Sequence, residues 1–139
     1  EVRLQALELL KREQRLQQIV RLIGPDALPD TERIILIVAE MIKNGFLQQS
    51  AFDEIDMFSV PEKQIMILLI IMEFYHRSSG VIRNGAPLAK VVNLPCHEEI
   101  VRIKTTFDNN DLAGISGVQG RMSQQLDELE RLYRKVETV

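Results

Sequence analysis

Apolar residues in this chain recur at the three- and four-residue spacing of amphipathic helices, and no segment sustains the alternation of a strand. Residues 2–23 predict a first helix whose core face carries Val2, Leu4, Leu7, Leu10, Leu16, Ile19, Val20 and Ile23. Its solvent side is predicted to carry Lys11, Arg12, Glu13, Arg15, Gln17 and Gln18. A second helix is predicted over residues 30–43, and residues 61–78 are apolar nearly all round, which is typical of a central bundle helix.

The stretch GPDALPDTER, residues 24–33, connects the first two helices and carries more special residues than a short turn needs. Gly24 followed by Pro25 ends the first helix, because glycine tolerates a left-handed cap and proline cannot continue a helix. Pro29 suits the first turn of the second helix, where its missing N–H costs nothing. Asp30 and Glu32 follow there, favoured by the positive end of the helix dipole.

The rest of the chain predicts shorter elements. Residues 46–58 fit no single period, so a loop with a helical turn is predicted there. Ser59 and Glu62 form a predicted capping box for the third helix. The second helix is predicted to end at Asn44-Gly45 and the third at residues 78–80. A loop and a short helix are predicted within residues 80–94, a helix from Pro95 to about residue 107 and a last helix at 121–136. Residues 112–120 are rich in glycine and ambiguous, and a flexible linker is the plain interpretation of residues 114–120.

These elements predict an all-α fold, a helical bundle of about five to six helices. The 139 residues fit a single domain with one real core, spanning residues 1–139. Hydrophobic residues make up 45% of the chain and charged residues 27%, which is a globular composition and not a disordered one.

Charge and apolar runs narrow the possible partners. The net charge of −3 shows no global basic excess, so nucleic acid is disfavoured as a partner. The longest apolar run, residues 65–72, is too short for a bilayer, which needs about 20 residues, so no direct membrane insertion is predicted. The single cysteine, Cys96, excludes an intramolecular disulfide and fits a reducing compartment.

The chain carries no motif for catalysis of its own. There is no phosphate-binding G-x-x-x-x-G-K-[ST] loop, and the spaced glycines of residues 114–120 follow no strand. Cys96 and His97 stand beside two acids, but zinc needs three or four ligands, and the only other histidine is His76. No catalytic residue and no metal ligand is therefore predicted, and the isolated domain is not expected to be an enzyme.

Residues 18–58 read QIVRLIGPDALPDTERIILIVAEMIKNGFLQQSAFDEIDMF and closely resemble the catalytic A subunit of archaeal-type and vacuolar-type rotary ATPases. The segments GPDALP and FLQQSAF, followed by SVPEKQ at residues 59–64, are the most specific. LPCHEEIVRIK at residues 94–104 also fits that family. The resemblance covers most of the chain, weakens after about residue 107, and matches only the C-terminal part of the family's sequence.

This resemblance implies a place in a hexameric ring of alternating A and B subunits that surrounds a central-stalk rotor subunit. It implies that the full subunit makes or hydrolyses ATP with Mg2+, coupled to proton or sodium flow, while this chain itself holds no cofactor. The nucleotide-binding domain would lie upstream. The expected location is the cytoplasmic face of a membrane, in the peripheral part of a membrane-bound complex.

The same region resembles the β subunit of F-type synthases, whose pattern is G-M-D-E-L-S-E-E-D. This resemblance implies a rotor-facing loop, formed by Gly24, Pro25, Asp26, Ala27, Leu28, Pro29, Asp30 and Glu32. Ala27 and Thr31 stand where the F-type pattern has acids, so the loop is less acidic. Because two prolines fix φ, we expect a stiff apolar lever around Leu28 more than an action through negative charge.

The resemblance also implies a nucleotide contact in the segment FLQQSAFDEIDMF. Phe52 and Phe58 match two aromatic positions that approach the adenine of the nucleotide in the full subunit. Their expected role is stacking on the base. The alternative is that both are simply core residues.

A second hypothesis is a free-standing helical protein-interaction module, such as an adaptor. Amphipathic helices alone do not distinguish it from the motor domain. The two separated segments that match the rotary ATPases favour the motor.

Overall fold

The computed structural model describes residues 1–46, 62–107 and 111–134. These ranges form α-helices and one 3-10 turn and contain no strand, which confirms the all-α prediction. The elements in chain order are α1 (Val2–Ile23), the 3-10 turn (Pro25–Ala27), α2 (Asp30–Phe46), α3 (Glu62–Arg83), α4 (Leu88–Val92), α5 (Pro95–Val101), α6 (Ile103–Thr106) and α7 (Leu112–Leu132).

Helix α3 is the central element of the bundle, as its sequence predicts. It packs against α1, α2 and α7. Leu68, Ile71 and Phe74 on α3 are almost completely buried. Within the described ranges, α3 is the one helix long and apolar enough to cross a membrane, but 56% of its most apolar window is buried inside the fold. That burial is typical of the core helix of a bundle.

The buried face of α1 differs from the predicted one. Leu4, Ile19 and Ile23 are exposed by 54%, 38% and 68%, although their spacing predicts burial. Glu13, predicted to face solvent, is only 3% exposed. Its carboxylate accepts hydrogen bonds from Lys43 Nζ at 2.8 Å and Gln17 Nε2 at 3.1 Å, so the buried charge is paired. The face of α1 that meets the bundle carries Ala6, Leu9, Leu10, Glu13 and Leu16.

The predicted end of α3 at residues 78–80 is wrong, because the helix continues to Arg83. Ser78 and Ser79 are buried and Arg83 Nη1 donates to Ser79 Oγ at 3.1 Å, so the serines belong to the packed helix. Gly85, with φ of 109°, follows the true end and adopts the left-handed conformation that glycine favours.

The second half of the bundle also departs from the predicted boundaries. Residues 95–107 form two short helices, α5 and α6, separated at Arg102. The linker interpretation of residues 114–120 is wrong, because α7 begins at Leu112 and contains them. Asp111 caps this helix by accepting from Gly114 N at 2.9 Å, and Ile115, Val118 and Met122 continue a buried stripe. Helix α2 runs to Phe46, past the end predicted at Asn44-Gly45. The predicted capping box at Ser59 lies outside the described residues.

Candidate functional site

The connection between α1 and α2, residues 24–29, is called the proline loop below. Gly24 ends α1 with φ of 90°, and its N–H donates to Val20 O at 2.8 Å. Pro25 then begins the 3-10 turn, in which Leu28 N donates to Pro25 O at 3.2 Å. Pro29 precedes α2 and its carbonyl accepts the N–H of Glu32 at 2.9 Å. The helix stop and helix start predicted from these residues are confirmed.

Leu28 anchors the proline loop to the bundle. Its side chain is only 4% exposed and belongs to the core, whereas Pro25, Asp26, Ala27 and Pro29 around it are exposed. The loop is therefore held by one buried apolar residue and stiffened by two fixed φ angles. Leu28 supports the loop from inside and offers no surface of its own.

Two exposed residues at the end of α1 extend the outer surface of the proline loop. Leu22 is 83% exposed and Ile23 is 68% exposed, and both directly precede Gly24. We call their side chains together with those of the exposed loop residues the tip surface, which comprises Leu22, Ile23, Pro25, Asp26, Ala27 and Pro29. Sequence reasoning missed Leu22 and placed Ile23 in the core. The signal that could have found them was the wide arc covered by the apolar residues of the last turn of α1, which one buried face cannot accommodate.

The three acids assigned to the loop have different surroundings. Asp26 is exposed, and neither Asp26 nor Glu32 forms a side-chain hydrogen bond or ion pair with the described residues. Asp30 accepts a hydrogen bond from the backbone N–H of Leu88 at 2.9 Å. Its other oxygen lies 3.9 Å from Arg33 Nη1. Asp30 is thus engaged inside the domain, and Asp26 is the one acid of the tip surface.

The other residues considered for binding or metal ligation are two phenylalanines and the Cys96-His97 pair. Phe52 and Phe58 lie outside the described residues, so their adenine contact stays a prediction. Cys96 is buried, and burial raises the pKa of its thiol to about 11. Burial also lowers the pKa of His97, whose ring centroid lies 6.0 Å from that of Phe74. In the part of the chain that the structure describes, no group of three His, Cys, Asp or Glu residues could hold a metal ion.

Comparison with known proteins identifies the family. The family model described as the C-terminal domain of V and A type ATP synthase matches residues 1–92, a range that contains the whole proline loop and ends with α4. The chain belongs to this family. The match covers the part of the fold in which the tip surface lies.

Individual relatives of the V- and A-type ATP synthase family extend the likeness beyond α4. The V-type ATP synthase alpha chain of Halothermothrix orenii is 42% identical over 94% of this chain and 22% of its own length. The A subunit of the A-type ATP synthase of Pyrococcus abyssi is 43% identical over 92% of this chain and 12% of its own length. That of Thermococcus kodakarensis is 40% identical over 92% of this chain and 21% of its own length. The chain thus spans about a fifth or less of the length of these relatives.

Proposed function

We propose that this domain couples ATP hydrolysis or synthesis in a ring of A and B subunits to the rotation of a central stalk, and so to proton or sodium transport. The family membership supports a place in an ATP synthase. The observation that carries the coupling role is the tip surface, in which exposed apolar side chains lie at the end of α1 and on the adjoining loop, which is fixed by two prolines and buried Leu28. Nothing in the comparisons favours the alternative of a free-standing interaction module.

A stiff loop suits the transmission of movement. A lever transmits a displacement only if it deforms less than the contact it pushes, and the backbone of the proline loop has little freedom to deform. Leu22 and Ile23 supply large apolar side chains for contact, and buried apolar area dominates most protein association. Only Asp26 contributes a negative charge to the tip surface, so the contact with the stalk is predominantly apolar.

The proposed motor supplies the remaining parts from outside this chain. ATP or ADP with Mg2+ would be bound by a nucleotide-binding domain of the same polypeptide, with Phe52 and Phe58 stacking against the adenine. The central stalk and the neighbouring B subunit would be the direct partners, at the cytoplasmic face of the membrane. Purified alone, the 139-residue chain should show no ATP turnover. A full-length Phe52→Ala variant should bind ATP more weakly, and unchanged ATP affinity would remove its adenine role.

The coupling role is tested by comparing two exposed leucines of α1. Leu22→Asp places a charge on the tip surface, whereas Leu4→Asp makes the same change at the other end of the helix, where Leu4 is 54% exposed. In the assembled synthase, the ratio of ions pumped to ATP hydrolysed should fall strongly with Leu22→Asp and stay near the parent value with Leu4→Asp. Both variants should keep the parent helicity by circular dichroism.

Equal coupling in both leucine variants would contradict the proposed role of the tip surface. An equal loss in both would point to a general weakening of α1 and would also contradict it. The comparison is fair because both leucines are already exposed, so neither substitution buries a charge.

A further inference from the structure

Helix α4 begins without a cap of its own. It spans five residues, Leu88–Val92, and its N-cap residue is Pro87, which makes no side-chain hydrogen bond to the helix. The first N–H groups of a helix have no partner inside the helix and are usually satisfied by the N-cap side chain. So short a helix is not stable by itself in water. It must take its support from another part of the fold.

Asp30 provides that support from the first turn of α2. Its Oδ2 accepts the N–H of Leu88 at 2.9 Å, across 58 positions of sequence. Leu88 and Val91 on α4 are buried, and α4 packs against α2. A carboxylate that accepts from a backbone N–H forms a charge-assisted bond, which is stronger than a neutral one. The start of α2, which directly follows the proline loop, is therefore joined to the start of α4.

A similar bond joins α5 to α7. Gln125 Oε1 on α7 accepts the N–H of Cys96, in the first turn of α5, at 2.7 Å. The residue at the N-cap of α5 is Leu94, whose side chain cannot accept a hydrogen bond. Both short helices are thus supported by side chains from long helices, with α4 tied to α2 and α5 tied to α7.

We propose that Asp30 is a positioning residue that acts inside the domain, by joining the proline loop to α4, and not by presenting charge to a partner. This inference rests on the proposed coupling function. It predicts that the acceptor oxygen of Asp30 is needed and that its negative charge is not. It also predicts that a displacement of the proline loop moves α4 with it.

The bond is tested by hydrogen exchange at Leu88 in the 139-residue chain. Asp30→Asn keeps an acceptor oxygen and removes the charge, whereas Asp30→Ala removes both. By analogy with the loss of a helix cap, exchange of the Leu88 amide should become faster by about fivefold in Asp30→Ala. In Asp30→Asn it should stay close to the parent rate. Asp26→Ala, which changes an exposed acid of the adjacent proline loop, should leave the rate unchanged.

Two results of the exchange experiment would overturn the proposal. One is parent-like protection of Leu88 in Asp30→Ala, and the other is exchange in Asp30→Asn as fast as in folded Asp30→Ala. If Asp30→Ala does not fold, the Asp30→Asn variant decides alone. Protection of its Leu88 amide supports a bond that needs the acceptor oxygen and not the charge, and loss of that protection refutes the proposal.

Coupling measurements in the assembled synthase separate the two possible roles of Asp30. The ratio of ions pumped to ATP hydrolysed should equal the parent value in Asp30→Asn and should be lower in Asp30→Ala. Loss of coupling in Asp30→Asn with Leu88 still protected would show that the charge acts on a partner, and would overturn this proposal while leaving the coupling function intact. Unchanged coupling in Leu22→Asp would refute the coupling function but not the bond between Asp30 and Leu88.

Discussion

The interfaces of α3 with α2 and of α3 with α7 share one central helix but differ in the chemistry that holds them. Helix α2 packs against α3 and carries the buried apolar residues Ile34, Ile35, Val38 and Ile42. Among the described residues, no side-chain hydrogen bond joins α2 to α3. The α7 side adds a polar network to its apolar stripe. The hydrophobic effect is non-directional and involves no charge, whereas the attraction between paired charges depends on their geometry and is screened by salt.

Arg77 is the centre of the network between α3 and α7. Its guanidinium donates to Glu130 Oε1 at 2.8 Å and to Ser123 Oγ at 3.0 Å, and it also bonds the carboxylate of Asp127. Hydrogen bonding to Glu130 is the main cause that raises the pKa of Arg77 above its ordinary value. One side chain thus joins three successive turns of α7 to the central helix.

The largest expected loss of stability comes from removing buried apolar volume on the α2 side. Ile34 on α2 has no exposed surface, so Ile34→Ala leaves a cavity and should lower the free energy of unfolding by about 3 kcal/mol. Chemical denaturation should show the same loss at low and at high salt, because no charge is involved. A loss that shrinks as salt is added would contradict the description of this interface as purely apolar.

The next largest loss of stability is expected when the polar network between α3 and α7 is removed. Arg77→Ala should lower the free energy of unfolding by about 1–2 kcal/mol, less than a fully buried pair would lose, because its carboxylate partners are partly exposed. Here the loss should decrease with added salt.

The matched control for Arg77 is an exposed ion pair. Arg102 Nε and Glu98 Oε2 lie 3.1 Å apart, with side chains exposed by 72% and 65%. Glu98→Ala, which removes the carboxylate of this pair, should therefore change stability by less than about 0.5 kcal/mol. Equal losses in Arg77→Ala and Glu98→Ala would mean that the network adds nothing to the attachment of α7.

A smaller effect concerns pH at the start of α5, beside α7. Burial raises the pKa of the Cys96 thiol from 9.0 to about 11, so the unfolded chain loses this proton at lower pH than the folded one. The stability that the folded state gains by keeping this thiol protonated is fully present below pH 9 and is lost as pH rises towards 11. Between pH 8 and 10 the loss should amount to about 1 kcal/mol.

Cys96→Ala isolates this titration, because the other ionisable groups remain in the variant. The difference in unfolding free energy between parent and variant should narrow as pH rises above 9. A difference that is constant with pH would show that the thiol titrates alike in the folded and unfolded chain. Cys96 in the folded protein should also react slowly with alkylating reagents at neutral pH, since the thiolate is the reactive form.

The contrast between the interfaces also explains which parts of the fold the sequence predicts. The positions of α2 and α3 are predicted correctly apart from their C-terminal ends, because long apolar stripes report burial directly. Glu13 is misplaced because its partner Lys43 lies 30 positions away, and such pairing leaves no periodic signal. The hydrogen bond between Asp30 and Leu88, which lie 58 positions apart, likewise leaves no periodic signal in the sequence. In the candidate site, the ends of the helices at the proline loop are predicted by local chemistry, but the exposure of Leu22 depends on how α1 packs.

The start of α7 is the clearest failure of local reasoning. Three glycines at residues 114, 117 and 120 predict a linker by propensity, yet all three lie in a helix. Asp111 caps its first turn, and the buried stripe that begins at Ile115 holds it to the bundle. Tertiary packing therefore overrides the low helix propensity of glycine.

The smallest effect compares two of these glycines in α7. A Cβ at Gly114 would lie 2.4 Å from Cε1 of Phe107 and 2.6 Å from Oδ2 of Asp111, whereas a Cβ at Gly120 would meet nothing within 4 Å. Gly120→Ala should stabilise the domain by about 0.5–1 kcal/mol through helix propensity. Gly114→Ala should destabilise it by about 1 kcal/mol, since the steric cost exceeds the same gain.

Chemical denaturation should give changes in unfolding free energy of opposite sign for the two glycine substitutions. This result would show that the start of α7 is fixed by close contact with Phe107 and not by propensity. Two gains of similar size would mean that the ring of Phe107 moves aside freely. The contact between the end of α6 and the start of α7 would then contribute little. In that case the attachment of α7 would rest on its buried stripe and on Arg77, and removal of Arg77 should cost more than the value expected above.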